Sequence, residues 1–178
     1  MRYVPLTVLA ACAVTAPAFA TQYLSPEQAE KLMFPEADAF RPHPLALDTA
    51  QMRQVEQASG LPTRSAQWRV VGAYKGDTLL GYMVLDDVIG KFELISYAVG
   101  LNPDASVRQV EILAYRESHG SEIRLPAWRR QFVGKSARSG DLRIGAGINN
   151  ISGATLSCTH VTDGVRRIAA VAQVALAR

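Results

Sequence analysis

The chain has 178 residues, 48% of them hydrophobic and 20% charged, with a formal net charge of +3. That length suits one domain with a sizeable core rather than two, and an excess of 19 Lys and Arg over 16 Asp and Glu points to no nucleic-acid partner. Only Cys158 of the two cysteines lies beyond the first twenty residues, which excludes an intramolecular disulfide in a processed chain.

Residues 1–20 read as a secretory signal: Arg2 precedes the apolar run Val4–Val14, and Ala18-Phe19-Ala20 is a small-residue cleavage site. Leu9-Ala10-Ala11-Cys12 also resembles a lipobox that would make Cys12 a lipidated N-terminus, but the apolar run before it is short for a signal core. The expectation is therefore a soluble periplasmic protein. No later run reaches the 18 or more apolar residues of a membrane span.

Residues 21–65 predict a helical N-terminal extension. Ser25-Pro26-Glu27 opens a first helix, with Ala29, Leu32 and Met33 on one side and Phe34-Pro35 as the stop. Arg41-Pro42-His43-Pro44 is a stiff extended connector. Asp48 caps a second helix that ends at Ser59-Gly60.

Residues 66–178 form the expected main domain. Trp68–Tyr74 and Leu79–Leu85 flank a hairpin turn at Lys75-Gly76-Asp77-Thr78. Lys91–Gly100 and Val107–Tyr115 follow as strands, the last with an imperfect alternation of Val107, Val110, Ile112 and Ala114. An irregular loop, Arg116–Arg124, leads to a short helix with Trp128 and Phe132 on one face. A Gly-rich polar stretch, Lys135–Asn150, precedes the longest helix, Thr155–Ala177, whose stripe is Val161, Val165, Ile168, Ala172 and Ala175. The fold class is α+β, a largely antiparallel sheet with a long C-terminal helix and short N-terminal helices.

The chemistry concentrates at residues 150–158, Asn-Ile-Ser-Gly-Ala-Thr-Leu-Ser-Cys. A helix start offers unpartnered N–H groups and the positive end of a dipole, so it seats a phosphate readily. Gly153 and Ala154 leave room for a flat ligand against the backbone, and Thr155 places a hydroxyl there. Local chemistry alone leaves a second reading open, in which Ser152 or Thr155 is an ordinary helix cap.

Ser152-Gly153-Ala154-Thr155 resembles the S/T-G-A-T signature of the covalent FMN-binding domain, found in flavin subunits of the Rnf and Na⁺-pumping NADH:quinone reductase complexes and in related periplasmic proteins. The resemblance implies that Thr155 carries FMN as a phosphoester, attached by a Mg²⁺-dependent flavin transferase using FAD. The family's fuller pattern has Asp where this chain has Asn149. A second likeness joins Tyr115-Arg116-Glu117-Ser118-His119-Gly120 to the family's H-x-E-T-x-G loop, with Tyr115 in the histidine position and Ser118 in that of threonine. Glu117 and the Ser118–Gly120 amides would then border the ring, and Trp128, in a stretch resembling the family's aromatic-to-Gly-Lys segment, would stack near it or serve the core. The basic residues Arg124, Arg129, Arg130, Lys135, Arg138 and Arg143 would face the flavin phosphate or simply solvent.

His43, His119 and His160 have no metal-ligand spacing. Ser152 and Ser157 have no identifiable base, and Cys158 suits packing better than reactivity. The expected function is extracytoplasmic electron transfer between a membrane donor and a periplasmic or membrane acceptor, by a carrier rather than a stand-alone enzyme. A flavin-dependent reductase of a small molecule and a cofactor-free periplasmic binding or assembly module are the alternatives.

Overall fold

A computed structural model describes residues 21–177; the expected signal segment, residues 1–20 with Cys12, lies outside the described residues. Four long strands dominate: β4 (Gln67–Lys75), β5 (Thr78–Ile89), β6 (Leu94–Leu101) and β7 (Val107–Tyr115). They form an antiparallel meander in which β5 pairs with β4 and β6, and β6 with β7. The β4–β5 turn is the expected one, with Lys75 opposite Thr78 and Gly76 at φ +58°.

The N-terminal region does more than precede the sheet. Its helices are α1 (Pro26–Met33) and α2 (Thr49–Ser59), each opened by a capping box: Ser25 with Gln28, and Asp48 with Gln51. Gly60 closes α2 in the left-handed conformation at φ +68°. Between and before the helices lie β1 (Thr21–Gln22), β2 (Ala39–Pro42) and β3 (Leu45–Ala46). β1 adds to β7 on one side, while β2 and β3 both pair with β4 on the other. The connector at Arg41-Pro42 is thus partly an edge strand, where a proline costs no internal ladder bond. The architecture is α+β, with the order β1-β7-β6-β5-β4-β2 and β3 also on β4.

Each sheet face has its own helix. α4 (Thr155–Ala175) covers one face, burying Val161, Val165 and Ile168 against Tyr82, Val84, Tyr97, Val99 and Ile112. On the other face Ala29, Met33 and Phe34 meet Ala73, Met83, Ala98 and Leu113. α2 packs behind α4 through Leu47, Val55, Ala170 and Val171. Burying each large apolar side chain contributes about 1.5–3 kcal/mol, so these two layers fix the ends of β5–β7 and the start of α4 in space.

The crossover from β7 to α4 contains a 3₁₀ turn (Ser121–Arg124), a one-turn helix α3 (Pro126–Arg129) and a further 3₁₀ turn. Trp128 and Phe132 share a face as expected, their rings 5.1 Å apart in an edge-to-face arrangement. An ion pair between the half-buried Arg129 and the buried Glu111 clamps α3 to β7.

Candidate functional site at the start of α4

α4 begins at Thr155, preceded by Ala154 in the cap position, and no side chain caps it. The reading of Ser152 or Thr155 as a helix cap is therefore not what the structure shows. Thr155 is the first helical residue and exposed, and its Oγ1 accepts a 3.1 Å hydrogen bond from Asn150 Nδ2. Ser152 and Gly153 are exposed in the turn before it, Gly153 at φ +84° with open space where a Cβ would stand. Ala154 is buried and anchors the turn. The helix start therefore presents N–H groups, a dipole end and a free hydroxyl on one open surface.

The loop after β7 comes to the same place. Tyr115 Oη donates to His119 O at 2.5 Å, and Ser157 Oγ, 3.0 Å away, supplies a proton to the phenol oxygen. Burial, opposed by the Ser157 hydrogen bond, raises the Tyr115 pKa, so the phenol stays a neutral pivot between loop and helix. Gly120, at φ +88°, lies directly against Ala154: a Cβ there would stand 3.1 Å from the Ala154 Cβ.

The turn between β5 and β6 forms the third wall. Gly90 N donates to Glu93 O at 2.8 Å, closing a tight turn that presents Lys91 and Phe92. Glu117 reaches into this turn, accepting from Phe92 N at 2.6 Å and Glu93 N at 3.0 Å. Burial works to raise its pKa, but these amides and the Lys91 charge outweigh it and hold the carboxyl below its ordinary value. From α4, His160 Nδ1 lies 2.5 Å from Ile89 O, tying the same turn to the helix.

Together these elements enclose an open groove of about 450 Å³, lined by Lys91, Phe92, Glu117, Ser118, His119 and the run Gly153–Ser157. The structure thus brings Gly153, Ala154, Thr155, Glu117 and Ser118 together, with Ser152 beside them. It does not bring in Trp128, which is 4% exposed and whose Nε1 donates 2.8 Å to Asn149 O. Trp128 holds the loop before Thr155 from within the core. Asn149 N in turn donates to Gln131 Oε1 at 2.8 Å. Glu117 likewise spends its carboxylate on the turn.

Sequence reasoning missed Lys91, Phe92, Asn150 and Leu156. The available signal is Phe92, an aromatic in a Gly-Lys-Phe-Glu segment; the pattern predicts a strand from Lys91, whereas β6 begins at Leu94 and Phe92 is 76% exposed at a turn. Cys158 is fully buried and burial raises its pKa, so it packs rather than reacts.

The groove suits FMN. Its volume falls in the range of small-molecule sites, its helix start and Lys91 suit a phosphate, and the exposed Phe92 and Leu156 offer apolar surface to a ring. Comparison with known proteins agrees. Residues 90–170 match the model of the FMN-binding domain. Among curated proteins none matches. Six chains of solved structures match, among them NqrC of Shewanella oneidensis, with a TM-score of 0.54 and 18% identity over 76% of this chain and 80% of that one. That likeness is one of fold. The sequence match to the FMN-binding domain covers β6, β7, the crossover loop and most of α4, the segments that build the groove.

Proposed function

We propose that this protein is an exported electron carrier whose FMN is joined through a phosphoester to Thr155, and that it relays electrons between a membrane donor and a periplasmic or membrane acceptor. The observation that carries this reading is the exposed Thr155 hydroxyl on an uncapped helix start, facing an open groove of about 450 Å³.

In attachment, Thr155 Oγ1 forms a bond to the phosphorus of the FMN half of FAD, the pyrophosphate bond breaks and AMP leaves. The hydroxyl proton passes to a base of the transferase, whose Mg²⁺ offsets the phosphate charge. Asn150 Nδ2 donates to Oγ1, which leaves the hydroxyl proton free for removal. The helix dipole and first N–H groups of α4 then hold the ester phosphate, and Lys91 adds a positive charge. The bound flavin supplies one- and two-electron redox chemistry. Phe92 and Leu156 give the ring an apolar seat, while Glu117 and Tyr115 keep the two loops in place.

The ionisable walls favour a carrier over a catalyst. Glu117 is engaged with backbone amides and Tyr115 with His119 and Ser157, so neither is poised to exchange protons with a substrate. The signal sequence at residues 1–20 is what supports export, and a covalent link suits a compartment where a lost cofactor is not replaced.

Coexpression with a flavin transferase tests attachment. The purified protein is expected to be yellow and to keep its flavin fluorescence through denaturing electrophoresis, while Thr155→Ala loses the covalent signal. A colourless wild-type protein, or an undiminished signal in Thr155→Ala, contradicts the reading.

A further inference from the structure

About three turns along α4 from Thr155, Arg167 is 4% exposed. Its Nε donates to Pro62 O at 3.0 Å, yet its Nη1 is buried without a partner. The indole Nε1 of Trp68, on β4, is also buried without a partner. Both residues line a small pocket of about 90 Å³ between the α2–β4 link, β5 and α4, and Arg64 and Arg69 line it too.

The charges there do not balance. Arg69 is paired with Asp87 at 2.9 Å, and Asp86, the one carboxylate in the wall, accepts a 2.6 Å hydrogen bond from Tyr97 Oη through Oδ2. Among the described residues neither Arg64 nor Arg167 forms an ion pair. Burial, and next the charge of Arg64, lowers the pKa of Arg167. A buried cation and two orphan donors are costly unless an acceptor meets them, and the two buried side-chain atoms of this wall that lack a partner, Arg167 Nη1 and Trp68 Nε1, both donate.

We propose that this pocket binds a small oxyanion of phosphate size, held by Arg167 Nη1, Trp68 Nε1 and the Arg64 guanidinium. The space admits one such ion or a few waters. Bound there, the ion cross-links the 61–68 segment to α4 and fixes α2 against the sheet. The site is separate from the Thr155 groove and does not depend on flavin.

The test is thermal unfolding of the full chain in inorganic phosphate against chloride at matched ionic strength, with Trp fluorescence followed at room temperature. Phosphate is expected to raise Tm with a saturating concentration dependence and to change the emission of the protein but not of Trp68→Phe. Arg64→Gln, at an exposed position, is expected to keep the fold and weaken phosphate binding at least tenfold. Thr155→Ala is expected to bind phosphate as the wild type does. Equal Tm in both salts, an undiminished response in Arg64→Gln, or a response lost only in Thr155→Ala would overturn the proposal. So would a crystal grown in phosphate that shows only water beside Arg167.

Discussion

At the scale of single residues the groove depends on two small contacts, one steric and one electrostatic. Gly120 sits at φ +88°, and a Cβ there would meet Tyr115 Oη at 2.7 Å as well as Ala154. Gly120→Ala is therefore expected to cost about 1–3 kcal/mol by strain and crowding, measured by denaturant unfolding, and to reduce flavin incorporation because Ala154 sets the approach to Thr155. Unchanged stability would contradict this packing. The electrostatic contact is Glu117 on the Phe92 and Glu93 amides. Because its folded pKa is depressed, its contribution is fully present above the unfolded glutamate value of about 4.3 and is lost as pH falls through the lower folded value. Amide exchange at Phe92 and Glu93, corrected for intrinsic chemistry, is expected to accelerate on acidification through that range. In Glu117→Gln the step should be absent; an identical step in that variant would assign it to another group.

At the scale of elements, α4 and the sheet meet so closely at one point that the helix requires a glycine. A Cβ on Gly164 would lie 2.0 Å from Tyr97 Oη and 2.9 Å from its Cζ. Gly164→Ala is expected to destabilise by about 1–3 kcal/mol through overpacking. Tyr97→Phe removes the nearest atom, so the double variant should lose less stability than the two single losses summed; strict additivity would show that the two do not compete for space. Pattern reasoning met its limit in β7. Its alternation looked imperfect because the register with β6 shifts twice, skipping Arg108 and Leu113. Val107, Val110, Ile112 and Tyr115 therefore share the α4-side core while Leu113 faces α1, an arrangement no fixed period of two produces. The helices were legible because caps are local: Ser25, Asp48 and Gly60 all act within one turn of their own residue. The short β1, β2 and β3 were not, since two to four residues carry little periodicity and are strands only because β7 and β4 offer open edges.

For the whole molecule, a bulged meander between two helices places three distant segments around one helix start. The run Ser152–Thr155 was legible because its chemistry is contained in four adjacent residues. The roles of Glu117 and Trp128 were not, because each depends on a partner far along the chain, at Phe92 and Asn149 respectively. The same long-range assembly holds a threonine hydroxyl at the rim of a groove whose proposed occupant is FMN. That claim is tested most directly by peptide mass mapping of protein coexpressed with a flavin transferase, on the tryptic fragment running from Ile144 to Arg166. This fragment is expected to be heavier by FMN less one water, with fragmentation placing the addition on Thr155, and Thr155→Ala is expected to yield the unmodified mass. An unmodified wild-type fragment, or flavin found on another residue, would contradict it.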